Sequence, residues 1–158
     1  MAVMSDPGSS PDLPLDSPRD WVGEHIGRYV ATGGEDGHEW RGAPCLLLTY
    51  QGAESGLWRR TALIYGTVPG EGGALALVAS KGGAPSDPAW YTSLVAHPAC
   101  RVQVMADVFD VRAHTADAAE RAAIWPVMTA VWPAYDEYVE KAAASGRPEI
   151  PVVVLARV

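Results

Sequence analysis

Three cations stand where strand-like segments meet turns, an arrangement that suits the binding of an anion. Arg59 and Arg60 are adjacent at the start of an apolar segment, and side chains alternate along a strand, so at most one faces a given surface. Lys81 follows another apolar segment and precedes Gly82 and Gly83, whose backbone N–H groups can approach an anion closely. This placement favours an anionic ligand, although the same residues also suit solvated turns.

Aromatic residues follow the same loop and could enclose a planar ligand. Trp90 and Tyr91 come one residue after Asp87-Pro88, a pair typical of a helix N-terminus, where backbone donors favour phosphate or carboxylate groups. A second set with roughly helical spacing lies nearer the C-terminus: Trp125, Trp132, Tyr135 and Tyr138. Trp and Tyr combine a flat apolar body with a polar tip, so both sets suit a ligand cleft as well as a hydrophobic core.

Several other chemistries find no pattern in the sequence. The histidines are His25, His38, His97 and His114. Their spacing gives no metal-binding pair, so we expect no metal site. There is no GxSxG turn for a nucleophilic serine and no GxGxxG turn for a dinucleotide. The two cysteines, Cys45 and Cys100, match neither a disulfide framework nor a zinc motif, which indicates a reduced, cytoplasmic protein.

Length and composition exclude further classes of protein. A chain of 158 residues with 48% hydrophobic and 20% charged residues predicts one domain with a real core. The formal net charge of −7 argues against a basic face for nucleic acid. The apolar runs are far shorter than the roughly 20 residues of a membrane span, so we expect no transmembrane segment.

The pattern along the chain predicts the elements that must position these residues. Residues 1–16 are rich in Pro, Ser and Asp and contain no Lys or Arg, which predicts a disordered acidic tail before a single domain over residues 17–158. Within that domain the patterns predict a helix, three strands, a helix, two strands, further helices and a last strand. Because the strands cluster, we expect an α+β, mainly antiparallel barrel with helices at its mouth.

Several segments together resemble the deazaflavin-dependent nitroreductases, split-barrel oxidoreductases that use coenzyme F420. The matching segments are residues 44–49, 52–65, 78–85, 88–91, 132–135 and 150–153. The block ASKGGAP followed by PAWY is specific, and so is its order after SGLWRRTAL. The resemblance extends from about residue 25 to the C-terminus. It implies a split β-barrel of the flavin-reductase/FMN-binding type with flanking helices.

The resemblance also implies an activity and a set of site residues. Reduced F420 would deliver a hydride to a quinone, nitroaromatic or similar acceptor, with Ser80 and Tyr135 near the reacting ring. Trp132, Tyr135 and Tyr138 would contact the substrate. The resemblance places the cofactor against Ala53, Glu54, Ser55, Arg59, Arg60, Thr61, Ala62, Leu63, Ile64, Val78, Ala79, Ser80, Lys81, Ala89, Trp90, Tyr91, Thr92 and Ser93.

Two alternatives remain open, an FMN-dependent split-barrel oxidoreductase and a non-catalytic protein that binds deazaflavin or a hydrophobic ligand. Ala53 and Glu54 stand where the family often carries Lys or Arg. The loss of these cations would weaken anion binding by ~1–3 kcal/mol if the contact is direct. Ala62 replaces a common proline, and Trp132 an aromatic residue that is often Tyr. The expected partner is a small-molecule electron acceptor, with at most weak peripheral membrane contact and either a monomer or a homodimer.

Overall fold

The structure, a computed structural model, describes residues 6–18, 20–70 and 72–158. Its elements in chain order are β1 (Leu15–Asp16), α1 (Asp20–Thr32), β2 (Glu39–Trp40), β3 (Ala43–Gln51), β4 (Trp58–Ile64), β5 (Gly66–Thr67), β6 (Leu75–Val78), a 3-10 turn (Lys81–Gly83), α2 (Ala89–Ala96), β7 (Ala99–Val104), β8 (Asp107–Thr115), α3 (Ala118–Val131), α4 (Ala134–Ala144) and β9 (Val152–Arg157). None of the described helices has the length and apolar character needed to cross a membrane.

The strands form one mixed, mostly antiparallel sheet. Its order is β1-β4-β3-β7-β8-β9-β6-β5, and β2 pairs with β3 outside this path. The sheet does not close on itself, because β4 and β6 approach each other without forming a ladder. This confirms the predicted α+β, mainly antiparallel split barrel with flanking helices. The split between β4 and β6 leaves room for a ligand beside the edge of β4.

Strand β3 is apolar on both faces because each face is covered. Leu46 and Leu48 point into the main barrel core, whereas Leu47 points to the other face and packs against Ile26 and Tyr29 of α1. The Tyr29 hydroxyl donates a hydrogen bond to the carbonyl of Cys45 at 3.0 Å. A strand covered on both sides shows a continuous apolar run rather than alternation. The packing therefore fixes α1 across β3 and β4, above the split.

Helices α3 and α4 cover the other end of the split barrel. Their buried residues include Ile124, Met128 and Tyr135, which pack with the segment that leads into β9. The loop after β6 lies directly against α4. A Cβ atom at Gly83 would come within 2.9 Å of the carbonyl oxygen of Tyr138, and Gly83 has a positive φ of 81°. Both observations require glycine there and bring the loop and α4 together.

The segment before α1 differs from the predicted disordered tail over residues 6–16. Strand β1 pairs in parallel with Arg59 and Arg60 of β4, and the carbonyl of Gly8 accepts a hydrogen bond from the N–H of Trp58 at 2.7 Å. The composition showed too little apolar surface for a core. The segment is instead held by the edge of β4 and by ion pairs, contacts between distant positions that composition does not reveal. Residues 1–5 of the predicted tail lie outside the described residues.

Candidate active site

A cleft of about 540 Å³ lies at the split of the barrel. Its walls come from β1, the start of α1, β4, the loop after β6, the start of α2 and the turn between α3 and α4. The predicted site residues that line it are Arg59, Arg60, Thr61, Ala62, Leu63, Ile64, Val78, Ser80, Lys81, Ala89, Trp90, Trp132, Tyr135 and Tyr138. Most of the predicted site, drawn from four separate segments, therefore meets around one cavity.

The edge of β4 forms one long side of this cleft. On the cleft side, β1 pairs only with Arg59 and Arg60, and no other described strand continues the ladder towards Ile64. On its other side β4 pairs with β3 along its whole length. An edge strand presents unpaired backbone N–H and C=O groups. Here these groups face a cavity, where they can pair with a planar ring that carries donors and acceptors at its rim.

The three predicted anion-binding cations have different surroundings. The guanidinium of Arg60 binds the carboxylate of Asp16 through two hydrogen bonds of 2.6 and 3.1 Å. In contrast, neither Arg59 nor Lys81 forms an ion pair with a described residue. Lys81 also has a left-handed backbone with a φ of 48°. A non-glycine residue held in this region stores strain, a feature that clusters at ligand-binding sites. Arg59 and Lys81 are the cations available to an anion.

The sequence analysis missed Arg147, which holds the loop that carries Ser80 and Lys81. Its buried guanidinium donates hydrogen bonds to the carbonyls of Ser80 at 2.9 Å and Ala84 at 3.1 Å, to the carbonyl of Ala79, and to the carboxylate of Asp87 at 2.6 Å. A fork of N–H donors is suited to such a set of oxygens. A single Arg just after a helix end resembles an exposed charge, so the local sequence gave no indication of this role.

Two hydroxyl groups predicted to be catalytic face the same cavity. Tyr135 is almost fully buried, and burial raises its pKa above the ordinary value for tyrosine. Its ring makes an edge contact with Tyr138, with 6.1 Å between the ring centroids. Ser80 is also buried and lies two residues after the end of β6. A tyrosine hydroxyl is protonated at neutral pH even at its ordinary pKa, so Tyr135 can donate a hydrogen bond to a ligand.

Seven predicted contacts do not line the cleft: Ala53, Glu54, Ser55, Ala79, Tyr91, Thr92 and Ser93. The N–H of Ala53 donates a hydrogen bond to the Ser93 hydroxyl at 3.2 Å, so these two positions join the turn after β3 to α2. Tyr91 bonds Thr115 through its hydroxyl group at 2.9 Å on the outer side of α2. Successive residues of a helix point in different directions. A contiguous run of α2 therefore cannot all face one cavity.

Gly82 and Pro88, which the sequence indicated as parts of an anion-binding loop and a helix N-terminus, also line the cleft. The cleft residues that were not predicted from the sequence are Leu15, Asp16, Ser17, Pro18, Trp21, Val22, His25, Trp40, Cys45 and Tyr50. Cys45 is buried in β3, and burial raises the pKa of its thiol to about 11, so it is no ready nucleophile. The excess of Trp over Phe was the one sequence feature that could have drawn attention to Trp21 and Trp40.

Comparison with known proteins shows to which family the chain belongs. The sequence profile of a family described as F420H(2)-dependent quinone reductase matches residues 21–157. The chain belongs to this family. The chain is 34% identical over 152 residues to an F420H(2)-dependent quinone reductase of Mycobacterium tuberculosis. The match covers 87% of this chain and 96% of the relative. The resemblance drawn from the sequence is thereby confirmed, as is the assignment to F420H2-dependent oxidoreductases.

Two solved structures are similar to the family member. One, described as a domain-swapped dimer, is 36% identical with a TM-score of 0.63, and the match covers 88% of this chain and 99% of that one. The other is described as an F420-H2 dependent reductase, FDR-A, and is 36% identical with a TM-score of 0.61. That match covers 71% of this chain and 93% of the other. Both similarities support the split-barrel fold described above.

Proposed function

We propose that the protein transfers a hydride from reduced coenzyme F420 to a planar electron acceptor, a quinone or a nitroaromatic compound. The observation that carries the proposal is one cleft that joins available cations to an aromatic wall. Arg59 and Lys81 supply the cations, and Trp132, Tyr135 and Tyr138 supply aromatic side chains. F420 combines a flat ring with a phosphate and a glutamate tail, so it needs both kinds of surface. The cleft also fits the FMN of the alternative function in its anion-binding part.

The residues present fit the coenzyme by the chemistry of their groups. Arg59, Lys81 and the backbone around Gly82 would hold its anionic groups. The unpaired edge of β4 beyond Arg60 would hold the polar rim of its ring. The bound coenzyme supplies a two-electron hydride donor. The task of the chain is to orient this donor against the acceptor and to exclude water.

Tyr135 and Ser80 are proposed to act on the acceptor. Negative charge develops on an acceptor oxygen when a hydride arrives, and a fixed hydrogen-bond donor stabilises that charge. The position of Tyr135 in the cleft supports this role, because a tyrosine hydroxyl is protonated at neutral pH and can donate a hydrogen bond. The guanidinium of Arg147 donates a hydrogen bond to the carbonyl of Ser80. This contact fixes the backbone that carries the Ser80 hydroxyl group.

We further propose a cytoplasmic protein that acts on small molecules, as a monomer or a homodimer, with at most weak contact to membranes. Both described cysteines, Cys45 and Cys100, are free and buried, which suits a reducing compartment. The solved relative described as a domain-swapped dimer supports a test of the homodimer first. Light scattering of the purified protein over a range of concentrations distinguishes the two states.

The test is a fluorescence titration of the purified protein with F420, followed by oxidation of F420H2 with menadione. We expect saturable micromolar binding and turnover. Arg59→Gln should weaken F420 binding by about ten-fold, the loss of one charge-assisted contact, whereas the matched Arg28→Gln, at an exposed position on α1, should not. Binding of FMN but not F420 would replace the proposal by the FMN alternative, and binding without turnover of any acceptor would indicate a non-catalytic carrier.

A further inference from the structure

Residues 6–18, which we call the N-terminal segment, cross the cleft at the start of β4. Residues 15–18 of this segment line the cavity. Strand β1 pairs in parallel with Arg59 and Arg60, and the N–H of Ser17 donates a hydrogen bond to the carbonyl of Arg60 at 3.0 Å. The segment therefore covers the edge of β4 at the two arginines that are expected to bind the anionic groups of the coenzyme.

The N-terminal segment makes the two kinds of contact that an elongated anionic ligand would make at this place. The carboxylate of Asp16 accepts hydrogen bonds of 2.6 and 3.1 Å from the guanidinium of Arg60, as a carboxylate or phosphate group of a ligand would. The backbone of β1 pairs with the edge of β4, which stays open beyond Arg60. A ligand that extends along this edge to Arg60 must replace these contacts.

The contacts between the N-terminal segment and the barrel are few and lie near the surface. None of its apolar side chains belongs to a buried hydrophobic cluster of the described residues, and Leu13 is 46% exposed. Asp12 binds Arg101 outside the cleft, but its carboxylate is largely exposed, and exposed ion pairs add little stability. The segment can therefore leave the edge of β4 without uncovering the core.

Gly8 holds the N-terminal segment in the shape that fits the edge of β4. Its carbonyl accepts a hydrogen bond from the N–H of Trp58 at 2.7 Å, and its N–H donates one to the carbonyl of Leu13 at 2.6 Å. Gly8 is buried with a positive φ of 84°, and a Cβ atom there would come within 3.1 Å of the side chain of Leu15. A side chain at this position strains both the backbone and the contact with β1. Gly8 does not line the cleft, so its substitution leaves the charges of the cleft in place.

We propose that the N-terminal segment is an internal competitor of the coenzyme, which pairs with Arg60 and the edge of β4 in the free protein and leaves them when F420 binds. This inference rests on the proposed reductase function. A ligand that binds only the open form has an apparent affinity reduced by the fraction of molecules that are open. Contacts that hold the segment on β4 therefore weaken coenzyme binding, although they lie outside the coenzyme's own contacts.

The first test is a fluorescence titration of the Gly8→Ala variant with F420. We expect this variant to bind F420 about five-fold more tightly than wild type, because its segment is attached in fewer molecules. Gly70→Ala is the matched control, since Gly70 also has a positive φ, of 74°, but lies between β5 and β6 with open space around its Cβ position. Combining Gly8→Ala with Asp16→Asn should give less than the product of the two single effects, because both changes release the same segment. Equal or weaker binding of F420 by Gly8→Ala would overturn the inference.

The second test is hydrogen exchange of the wild-type protein, measured by mass spectrometry with and without saturating oxidised F420. Peptides from residues 6–18 should exchange about five-fold faster when F420 is bound, while peptides from β3 should not change. Slower exchange in residues 6–18 would mean that the segment closes over the coenzyme, which would overturn the inference. If wild type and Gly8→Ala both fail to bind F420, the proposed function is wrong. Inorganic pyrophosphate then serves as the anionic probe, and unchanged exchange of residues 6–18 in its presence would also overturn the inference.

Discussion

Replacement of Asp16 by Asn should tighten the binding of F420. The carboxylate of Asp16 accepts two hydrogen bonds from the guanidinium of Arg60. Arg60 is one of the cations expected to bind the anionic groups of the cofactor. An anion that contacts Arg60 must share it with this carboxylate or displace it. Asn keeps the size of Asp16 and one acceptor oxygen but removes the charge, so the change tests electrostatic competition and not packing.

The magnitude follows from the short distance between the charges. The Asp16 carboxylate lies 2.6 Å from Arg60, so an anion that binds the same guanidinium comes within about 5–6 Å of it. At that separation, two charges of the same sign repel by about 1 kcal/mol where the dielectric constant is close to that of water, as at this solvent-exposed carboxylate. We therefore expect F420 to bind about five-fold more tightly to Asp16→Asn, with the difference reduced at high salt.

The assay is a fluorescence titration of wild type and variant with F420 at low and high salt. Asp12→Asn is the matched control, because Asp12 lies in the same segment and binds Arg101 at 2.7 Å, outside the cleft. This control should leave F420 affinity unchanged. If Asp16→Asn binds F420 equally or less tightly, the segment does not compete with the cofactor, and its carboxylate instead helps to fix Arg60 for binding.

Three further predictions concern single groups. Tyr135→Phe should lower kcat with menadione about ten- to hundred-fold without changing F420 affinity, whereas Tyr91→Phe, outside the cleft, should leave kcat unchanged in the same steady-state assay. Arg147→Met should lower the free energy of unfolding by about 3 kcal/mol, measured by urea titration, and weaken F420 binding, because it leaves a half-buried carboxylate unpaired and releases the loop. Burial raises the pKa of Cys45 to about 11 and of Cys100 to about 12. As pH rises above 9, the thiols ionise in the unfolded chain while they stay neutral in the folded state. The free energy of unfolding should therefore fall from pH 9 towards pH 11. Urea titrations at pH 8 and pH 10 measure this change, and equal free energies at the two pH values would contradict the prediction.

The strands and helices followed from the sequence wherever one chain segment carries its own pattern. The alternation in β7 and β8 and the capping residues of α3, where Asp117 and Glu120 bond each other's backbone, are local features. Strand β3 could be recognised because it is apolar on both faces. In contrast, β1 and β2 are two residues long and exist only through their partners, so no periodicity could indicate them.

The same distinction separates the parts of the site. Residues on β4 and after β6 were predictable from a family motif, since their neighbours in sequence are also their neighbours in the cleft. Arg147 and Asp16 act on oxygens or cations that are 44 or more residues away. A charged side chain at such a position gives no local sign of its partner. Long-range hydrogen bonds therefore carry the part of the site that the sequence did not show.

Two parts of the cleft are therefore built from different segments of the chain. The motif from Ser55 to Tyr91 supplies the strand edge and the cations of the cleft. Trp21 of α1 and Trp40 of β2 also line the cleft, and both lie before that motif in the chain. A change at either tryptophan therefore alters the wall of the cleft without replacing Arg59 or Lys81. We expect the Trp21→Leu variant to keep its F420 affinity, and a weaker affinity in a fluorescence titration would show that this separation of the cleft is incorrect.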